Sequence, residues 1–262
     1  MVNIELAVIG GTGVYKAEML EKPKELEIKT EYGKTNLLTG NYKGRSVAFL
    51  ARHGSGHSVP PHLVNYRANL QALKNIGVKK VIATAAVGSL NNDMKPGDFV
   101  VVDQFLDFTK GRVSTFFDGG AKGLLHVDMT DPYCREVREE IYNTAVKLGL
   151  NVHKGGCYVT AEGPRFETPA EIKMYKMLGG DLVGMTSVPE VVLAREAGLC
   201  YATVAMVTNF AAGISPTVLS HSEVVEAMKT SSQDVSRLIM SILETISLER
   251  GCTCSETATE VR

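Results

Sequence analysis

The chain has 262 residues, of which 44% are hydrophobic and 22% charged, and its formal net charge is −1. These values are typical of a globular protein long enough to bury a sizeable core. No polybasic block is present, so there is no electrostatic basis for binding nucleic acid or an anionic membrane. No apolar run approaches eighteen residues, and Met1 leads directly into a strand-like segment, which predicts a cytoplasmic protein.

The predicted strands are apolar runs that read, in chain order, "ELAVIGG", "SVAFLAR", "KKVIATAAVGSL", "DFVVVDQFL" and "LCYATVAMVTN". Helix-like periodic stretches lie at about 62–76, 131–148, 169–178, 187–198 and 219–249. Most of the runs are continuously apolar, as expected for strands that are covered on both faces. The alternation predicts one α/β domain over residues 1–249, with a central, largely parallel mixed sheet flanked by helices. Residues 250–262 are expected to form a frayed polar tail.

Polar groups follow several predicted strands, at the sheet edge where ligands of open α/β folds collect. "GGTGVY" follows the first strand and could cradle an anion, although a plain tight turn is as good an interpretation. It lacks the third glycine of a dinucleotide fingerprint. "ARHGSGH" places Arg52 and His53 after another strand, where an arginine fork suits phosphate oxygens. The same letters weakly match a histidine phosphatase signature, and both residues could also be purely structural.

Two further segments offer groups suited to a planar base. In "AEGPRFET", Phe166 can stack on a ring and Glu167 can accept a ring N–H, although the pair could instead pack and cap a loop. In "GMTSVPE", Met185 and Thr186 precede a helix that Thr186 could simply cap. Asn209 follows the last strand, where an asparagine often only forms a turn.

Five cysteines without a signal peptide do not predict a secreted disulfide framework. Cys252 and Cys254 form a Cys-x-Cys pair in the polar tail. Their spacing does not fit a structural zinc site, which would need two more ligands. Two free thiols are the simplest interpretation, and a redox or disulfide role is the alternative.

Taken together, these segments resemble the trimeric purine nucleoside phosphorylase and methylthioadenosine phosphorylase family. The resemblance extends from "GGTGVY" to about residue 247 and includes "VNYRANLQAL", "TAAVGSL", "PGDFVVVDQFLD", "AEGPRFET", "GMTSVPEVVLAREAGLCYA" and "VTN". It implies a nucleoside phosphorylase-like fold and phosphorolysis of purine nucleosides. It also implies inorganic phosphate as co-substrate, no metal or organic cofactor, and a homotrimer or hexamer.

The resemblance also implies roles for individual residues. Phosphate would be held by Thr12, Arg52, His53, Thr186 and the Ala86 backbone. Met185 would lie against the sugar, while Phe166, Glu167 and Asn209 would face the base. His126 matches a position that reaches into the neighbouring subunit's site, and His221 matches a histidine directed at the 5′-hydroxyl.

The base-facing residues favour a 6-oxopurine. Glu167 can accept from its N1–H, and the Asn209 amide can donate to N7 or O6. A 6-aminopurine would present a lone pair at N1 to Glu167, a costly mismatch in a buried site. Adenine-specific members resemble "TDYD" where this chain has "TNFA", and they carry serine at the position of Glu167. The sequence therefore predicts activity on inosine and guanosine, with 5′-methylthioinosine or 5′-methylthioadenosine as the alternatives. A catalytically silent purine-binding homologue is the remaining alternative.

Overall fold

A computed structural model describes residues 4–10, 17–54, 56, 58–215, 218, 220–256 and 258–261. Within these residues, eleven strands form one sheet and two more form a separate pair. The strands are β1 (Leu6–Gly10), β2 (Glu21–Thr30), β3 (Gly33–Tyr42), β4 (Arg45–Ala51), β5 (Lys80–Ser89), β6 (Phe99–Val101), β7 (Gln104–Phe108), β8 (Leu124–Val127), β9 (Val152–His153), β10 (Cys157–Ala161), β11 (Leu182–Gly184), β12 (Cys200–Phe210) and β13 (Ala258–Val261). The helices are α1 (Tyr66–Asn75), α2 (Arg135–Lys147), α3 (Pro169–Met177), α4 (Ser187–Glu196) and α5 (His221–Thr245).

The centre of the sheet is parallel, as the continuously apolar runs predict. Strand β1 pairs with β4 and β5, and β5 pairs with β12, all in parallel. The outer strands β2 and β3 form an antiparallel hairpin, and β11 pairs with β5 in the antiparallel direction. The predicted mixed α/β sheet is therefore confirmed. Parallel alignment brings the carboxyl ends of β1, β4, β5 and β12 to one edge.

Helices cover both faces of this sheet. The side chains of β1 point alternately to the two faces and pack against different helices. Ala7 and Ile9 pack into a core that includes residues of α1 and α4. Leu6 and Val8 point the other way, into a core that includes residues of α2 and α5. A strand buried on both faces is expected to be apolar at every position, which is what β1 shows. No helix in the described ranges is both long and apolar enough to span a bilayer.

The segment "DFVVVDQFL" differs from its prediction as one strand. It forms two short strands, because β6 pairs with β12 whereas β7 pairs with β10. Between β6 and β7, the Val102 N–H still donates to the Thr203 carbonyl of β12 at 3.0 Å, whereas the Asp103 N–H donates to the Gly156 carbonyl, just before β10, at 3.3 Å. The Asp103 carboxylate accepts from the Gly156 backbone N–H at 3.0 Å. The segment between β6 and β7 therefore connects two regions of one sheet.

The C-terminal segment, predicted as a frayed polar tail, contacts the rest of the chain through some of its described residues. Cys254 is buried against the core that α2 and α5 share. Strand β13 pairs with β8 in the antiparallel direction, with Thr259 opposite His126. The polar composition does not reveal these contacts, because they join the segment to distant parts of the chain.

Candidate functional site

A cavity of about 870 Å³ opens at the carboxyl ends of β5 and β12. Its walls come from these strands, from the loop before α3, from the turn before α4 and from one side of α5. Eight of the predicted site residues line it: Arg52, His53, Ala86, Phe166, Glu167, Met185, Thr186 and Asn209. The structure thus brings together groups that are far apart in the chain. Arg52 and Asn209, for example, are separated by 157 positions.

Arg52 is buried and already holds a fixed orientation. Its Nε and Nη2 donate to the two carboxylate oxygens of Glu190, each at 2.7 Å, and Nη1 donates to the Thr84 carbonyl at 2.9 Å. Burial by itself lowers the pKa of Arg52, but the charge and hydrogen bonds of Glu190 outweigh it, so that the pKa is raised. The guanidinium therefore stays charged and faces the cavity in a defined plane. It has five N–H donors, so two remain beyond these three bonds for an anion.

Glu190 itself is fully buried and is held by a second network. The Tyr201 hydroxyl donates to its Oε1 at 2.7 Å, and the Thr203 hydroxyl donates to the Tyr201 oxygen at 3.1 Å. Burial, followed by the charge of Glu190, raises the pKa of Tyr201 well above its ordinary value, so this tyrosine remains a neutral donor. These hydrogen bonds hold Glu190 in place, and Glu190 in turn holds the Arg52 guanidinium at the wall of the cavity.

Two more predicted phosphate ligands, His53 and Thr186, line the same cavity as Arg52. The Nδ1 of His53 is 2.9 Å from the Val59 carbonyl, which fixes the ring and places the proton on Nδ1. Thr186 is the residue before α4, and its side chain makes no capping hydrogen bond, contrary to the capping interpretation. Thr12 lies outside the described residues.

Glu167 is the most unusual acid of the cavity. It is 9% exposed, and its Oε1 has no hydrogen-bond partner among the described residues. Burial raises its pKa above the ordinary value, because the charged form loses hydration. A buried carboxylate oxygen without a protein partner is costly, so this atom is available to accept a hydrogen bond from a molecule in the cavity.

Asn209 owes its position to an irregularity in β12. Val207 lies opposite Val87 and Asn209 opposite Gly88, so Thr208 is an extra residue that makes a β-bulge. The Thr208 hydroxyl donates to Oδ1 of Asn209 at 2.8 Å, and Nδ2 donates to the Phe210 carbonyl at 2.8 Å. An amide nitrogen has two N–H groups, so one remains beyond this bond to donate into the cavity.

The apolar side of the site depends on a close approach between two loops. Phe166 is 37% exposed, and it lines the cavity together with Met185. A Cβ at Gly163 would lie 2.5 Å from the Met185 sulfur, and Gly163 has a φ of +67°. Only glycine allows this backbone to pass Met185 in that conformation.

Arg112 connects the same loops, although no sequence motif points to it. Its buried guanidinium donates to the Met185 carbonyl at 2.7 Å and to the Val188 carbonyl at 3.0 Å. It also donates to the carbonyl of Glu162 at 2.6 Å and to its carboxylate at 3.1 Å. One side chain thus holds both the turn before α4 and the loop that carries Phe166.

Part of the remaining wall comes from α5, which presents the apolar Val224, Val225 and Met228 and also Lys229 and Ser232. His221 is the first residue of this helix, but its side chain lies outside what the structure describes. His126 lies on β8 and is exposed, and it is not one of the described residues that line the cavity. Its predicted role therefore requires a second subunit.

The site combines a fixed cation, a carboxylate and an amide that both have capacity for further bonds, and an apolar wall at the strand ends of an α/β sheet. This arrangement has the chemical groups to bind a small ligand with both an anionic part and a planar polar part. The chain belongs to the phosphorylase superfamily, which it matches over residues 5–244. The predicted nucleoside phosphorylase family is thereby confirmed.

Similar proteins differ in the substrate for which they are named. The chain is 52% identical over 256 residues to the 6-oxopurine nucleoside phosphorylase of Pyrococcus furiosus, covering 96% of each chain. It is 46% identical over 262 residues to the S-methyl-5′-thioadenosine phosphorylase of Thermofilum pendens, covering 99% of each. Among solved structures, methylthioadenosine phosphorylase from Schistosoma mansoni in complex with adenine matches with a TM-score of 0.91 at 36% identity. That match covers 97% of this chain and 96% of the other.

Proposed function

We propose that this chain catalyses the phosphorolysis of 6-oxopurine nucleosides, inosine and guanosine, to the free base and ribose 1-phosphate. The observation that carries the proposal is the buried Oε1 of Glu167, which lines the cavity without a hydrogen-bond partner among the described residues. The N1–H of a 6-oxopurine supplies the donor that this oxygen lacks. Adenine has an unprotonated N1 and would place a lone pair against it.

Asn209 complements Glu167 at the opposite edge of the base. In the reaction, a phosphate oxygen bonds to the anomeric carbon while the bond from that carbon to the purine nitrogen breaks. The electron pair of the broken bond leaves with the purine, which becomes anionic until it takes up a proton. The spare N–H of Asn209 donates to N7 or O6 and stabilises this charge.

Arg52, His53, Thr186 and the Ala86 backbone are the proposed phosphate ligands, and Met185 the proposed contact of the sugar. Because Glu190 fixes the Arg52 fork, the phosphate meets a cation that needs no reorientation. Anionic oxygens near the anomeric carbon also stabilise the positive charge that develops on the sugar.

A 5′-methylthio substrate is the second candidate, favoured by one observation. Val224, Val225 and Met228 present apolar surface to the cavity from α5. Such a wall suits a methylthio group, whereas His221, if directed inward, would instead bind a 5′-hydroxyl. Phosphorolysis of inosine, 5′-methylthioinosine and 5′-methylthioadenosine, compared by kcat/KM, separates these candidates. A clear preference for methylthioadenosine would contradict the proposal that Glu167 and Asn209 select a 6-oxopurine.

The substitution Asn209→Asp tests the base contact directly. Loss of one such donor raises the barrier by about 2.7–4 kcal/mol, so inosine turnover should fall by about 10²–10³-fold. A carboxylate at this position can accept from the 6-amino group, so the activity on adenosine relative to inosine should rise. Unchanged selectivity would show that Asn209 does not read the base. Base release that does not require added phosphate would contradict phosphorolysis as a whole.

A further inference from the structure

Four of the five cysteines meet at one point, on the face of the sheet covered by α2 and α5. The sulfurs of Cys134, Cys200, Cys252 and Cys254 all lie within 4.8 Å of one another. Cys252 Sγ is 3.3 Å from Cys200 Sγ and 3.7 Å from Cys134 Sγ. We call these four residues the cysteine cluster.

The cluster supplies the ligands that the Cys-x-Cys pair lacks in the sequence. Cys134 precedes α2, and Cys200 is the first residue of β12. The backbone N–H of Cys134 donates to the Tyr201 carbonyl at 2.7 Å, and that of Cys200 donates to the Lys79 carbonyl at 2.9 Å. The core therefore fixes two ligands before the tail adds the other two.

The geometry fits a tetrahedral metal ion. Zinc binds thiolate sulfur at about 2.3 Å, which places the sulfurs of a tetrahedral site about 3.8 Å apart. The two separations given above are close to this value and well beyond the sulfur–sulfur bond of a disulfide, at about 2.05 Å. All four sulfurs are also near one another, whereas two disulfides would form two separate pairs.

A buried arginine supports the same assignment by its charge. Arg195 is 4% exposed, and its Nη1 donates to Cys254 Sγ at 3.5 Å while Nη2 donates to the Asp128 carbonyl at 3.1 Å. Arg195 makes no salt bridge among the described residues, and the one carboxylate whose pKa its charge is seen to lower, that of Asp128, is exposed to solvent. A buried guanidinium requires a negative partner. Four thiolates around a divalent cation carry two net negative charges and would provide it.

We propose that the cysteine cluster is a structural site for a thiophilic divalent metal ion, with zinc as the best fit. Four protein ligands would close the coordination sphere, so the ion would have no open position for catalysis. The ion would fasten the C-terminal segment to α2 and β12. Strand β13 begins four positions after Cys254 and pairs with the strand that carries His126.

The test is the metal content of the full-length chain, purified with a non-thiol reductant and without chelator. We expect about one zinc per chain by elemental analysis, released in proportion when a mercurial reagent blocks the thiols. Cys252→Ser and Cys254→Ser, in the tail, should reduce bound zinc to background. Cys157→Ser is the matched control, because Cys157 lies on β10 outside the cluster, and it should retain zinc.

Intact mass with and without alkylation distinguishes the remaining outcomes. Two disulfides in the freshly purified chain, with no bound metal, would overturn the proposal. Four alkylatable thiols and no zinc uptake by the reduced chain would overturn it equally. Bound iron in place of zinc would support the proposed metal site but would contradict zinc as its metal. None of these measurements uses catalysis, so they do not depend on the proposed enzymatic function.

Discussion

At the residue scale, Glu167 holds a charge that the fold alone does not stabilise. Burial raises its pKa, so the folded chain binds this proton more tightly than the unfolded chain does. The contribution of Glu167 to stability is therefore greatest at low pH and is lost as the pH rises through the raised pKa. A residue that costs stability where it is ionised is expected to be retained for its function.

The first prediction concerns Glu167→Gln. The neutral amide avoids the desolvation of a carboxylate, so the ligand-free variant should be at least as stable as the parent at neutral pH. Its kcat/KM for inosine should fall by about 10²-fold, because a neutral oxygen accepts the N1–H more weakly. Thermal unfolding and steady-state kinetics measure the two effects. A variant that is both less stable and fully active would contradict the assignment.

The pH dependence of kcat/KM provides a second test of Glu167. Only the ionised carboxylate is purely an acceptor, so kcat/KM of the parent should decline as the pH falls through the raised pKa of Glu167. The acid limb should be absent from Glu167→Gln. An identical acid limb in both proteins would assign it to another group.

The ion pair between Arg52 and Glu190 leads to another prediction at this scale. Glu190→Gln leaves a buried guanidinium without its counter-charge, which should destabilise the ligand-free chain by about 3–5 kcal/mol. Phosphate can supply the missing negative charge, so it should raise the melting temperature of the variant more than that of the parent. Glu27→Gln, in an exposed pair with Lys34, is the control and should change stability by no more than about 1 kcal/mol. If phosphate raised the melting temperature of parent and variant equally, Arg52 would not be a phosphate ligand.

At the element scale, the site depends on how two loops pass each other, and Gly163 tests this. Gly163→Ala places a methyl group against the Met185 sulfur and forces a positive φ on alanine, which costs about 1–2 kcal/mol. A displaced Met185 should lower kcat/KM by up to about 10²-fold. Gly179→Ala is the control, because it has a φ of +91° with no atom within 4 Å of the added Cβ. It should lose stability but keep its activity, and a similar loss of activity in both variants would refute the role of Met185.

The elements that could be predicted from the sequence are those with a strong local pattern. Strands β1, β4, β5 and β12 are continuous apolar runs, and all five helices were expected within a few residues of their bounds. The hairpin of β2 and β3 is not predicted, because β2 is mostly exposed and rich in charged residues and β3 contains more polar residues than apolar ones. The short strand β10 is not among the predicted runs, because five residues carry little periodicity.

The cavity residues could be predicted because they follow strands or stand in the segments that carry the family resemblance. The groups that hold them could not. Glu190 lies 138 positions from Arg52, so no local pattern links them, although a carboxylate within an apolar helix is a sign of a buried partner. Arg112 lies in a loop and binds mainly backbone carbonyls, which any sequence offers. The cysteine cluster unites residues up to 120 positions apart, the number that separates Cys134 from Cys254.

At the scale of the whole molecule, a single chain does not place every predicted site residue in its own cavity. His126 is exposed on β8, away from the cavity-lining residues that the structure describes. The family resemblance places it in the site of a neighbouring subunit. The pairing of β8 with β13 braces this strand from the C-terminal side. The active site would then be complete only in an oligomer.

Subunit mixing tests this arrangement. His126→Ala and Asn209→Ala should each be poorly active alone, because each removes one group from every site. In mixed oligomers, some sites would combine Asn209 from one chain with His126 from the other and would be intact. Activity should therefore rise when the two variants are denatured together and refolded as a mixture. Separately refolded variants, combined afterwards and assayed before subunits exchange, are the control. No gain on co-refolding, with mixed oligomers confirmed by mass, would show that His126 does not serve a neighbour's site.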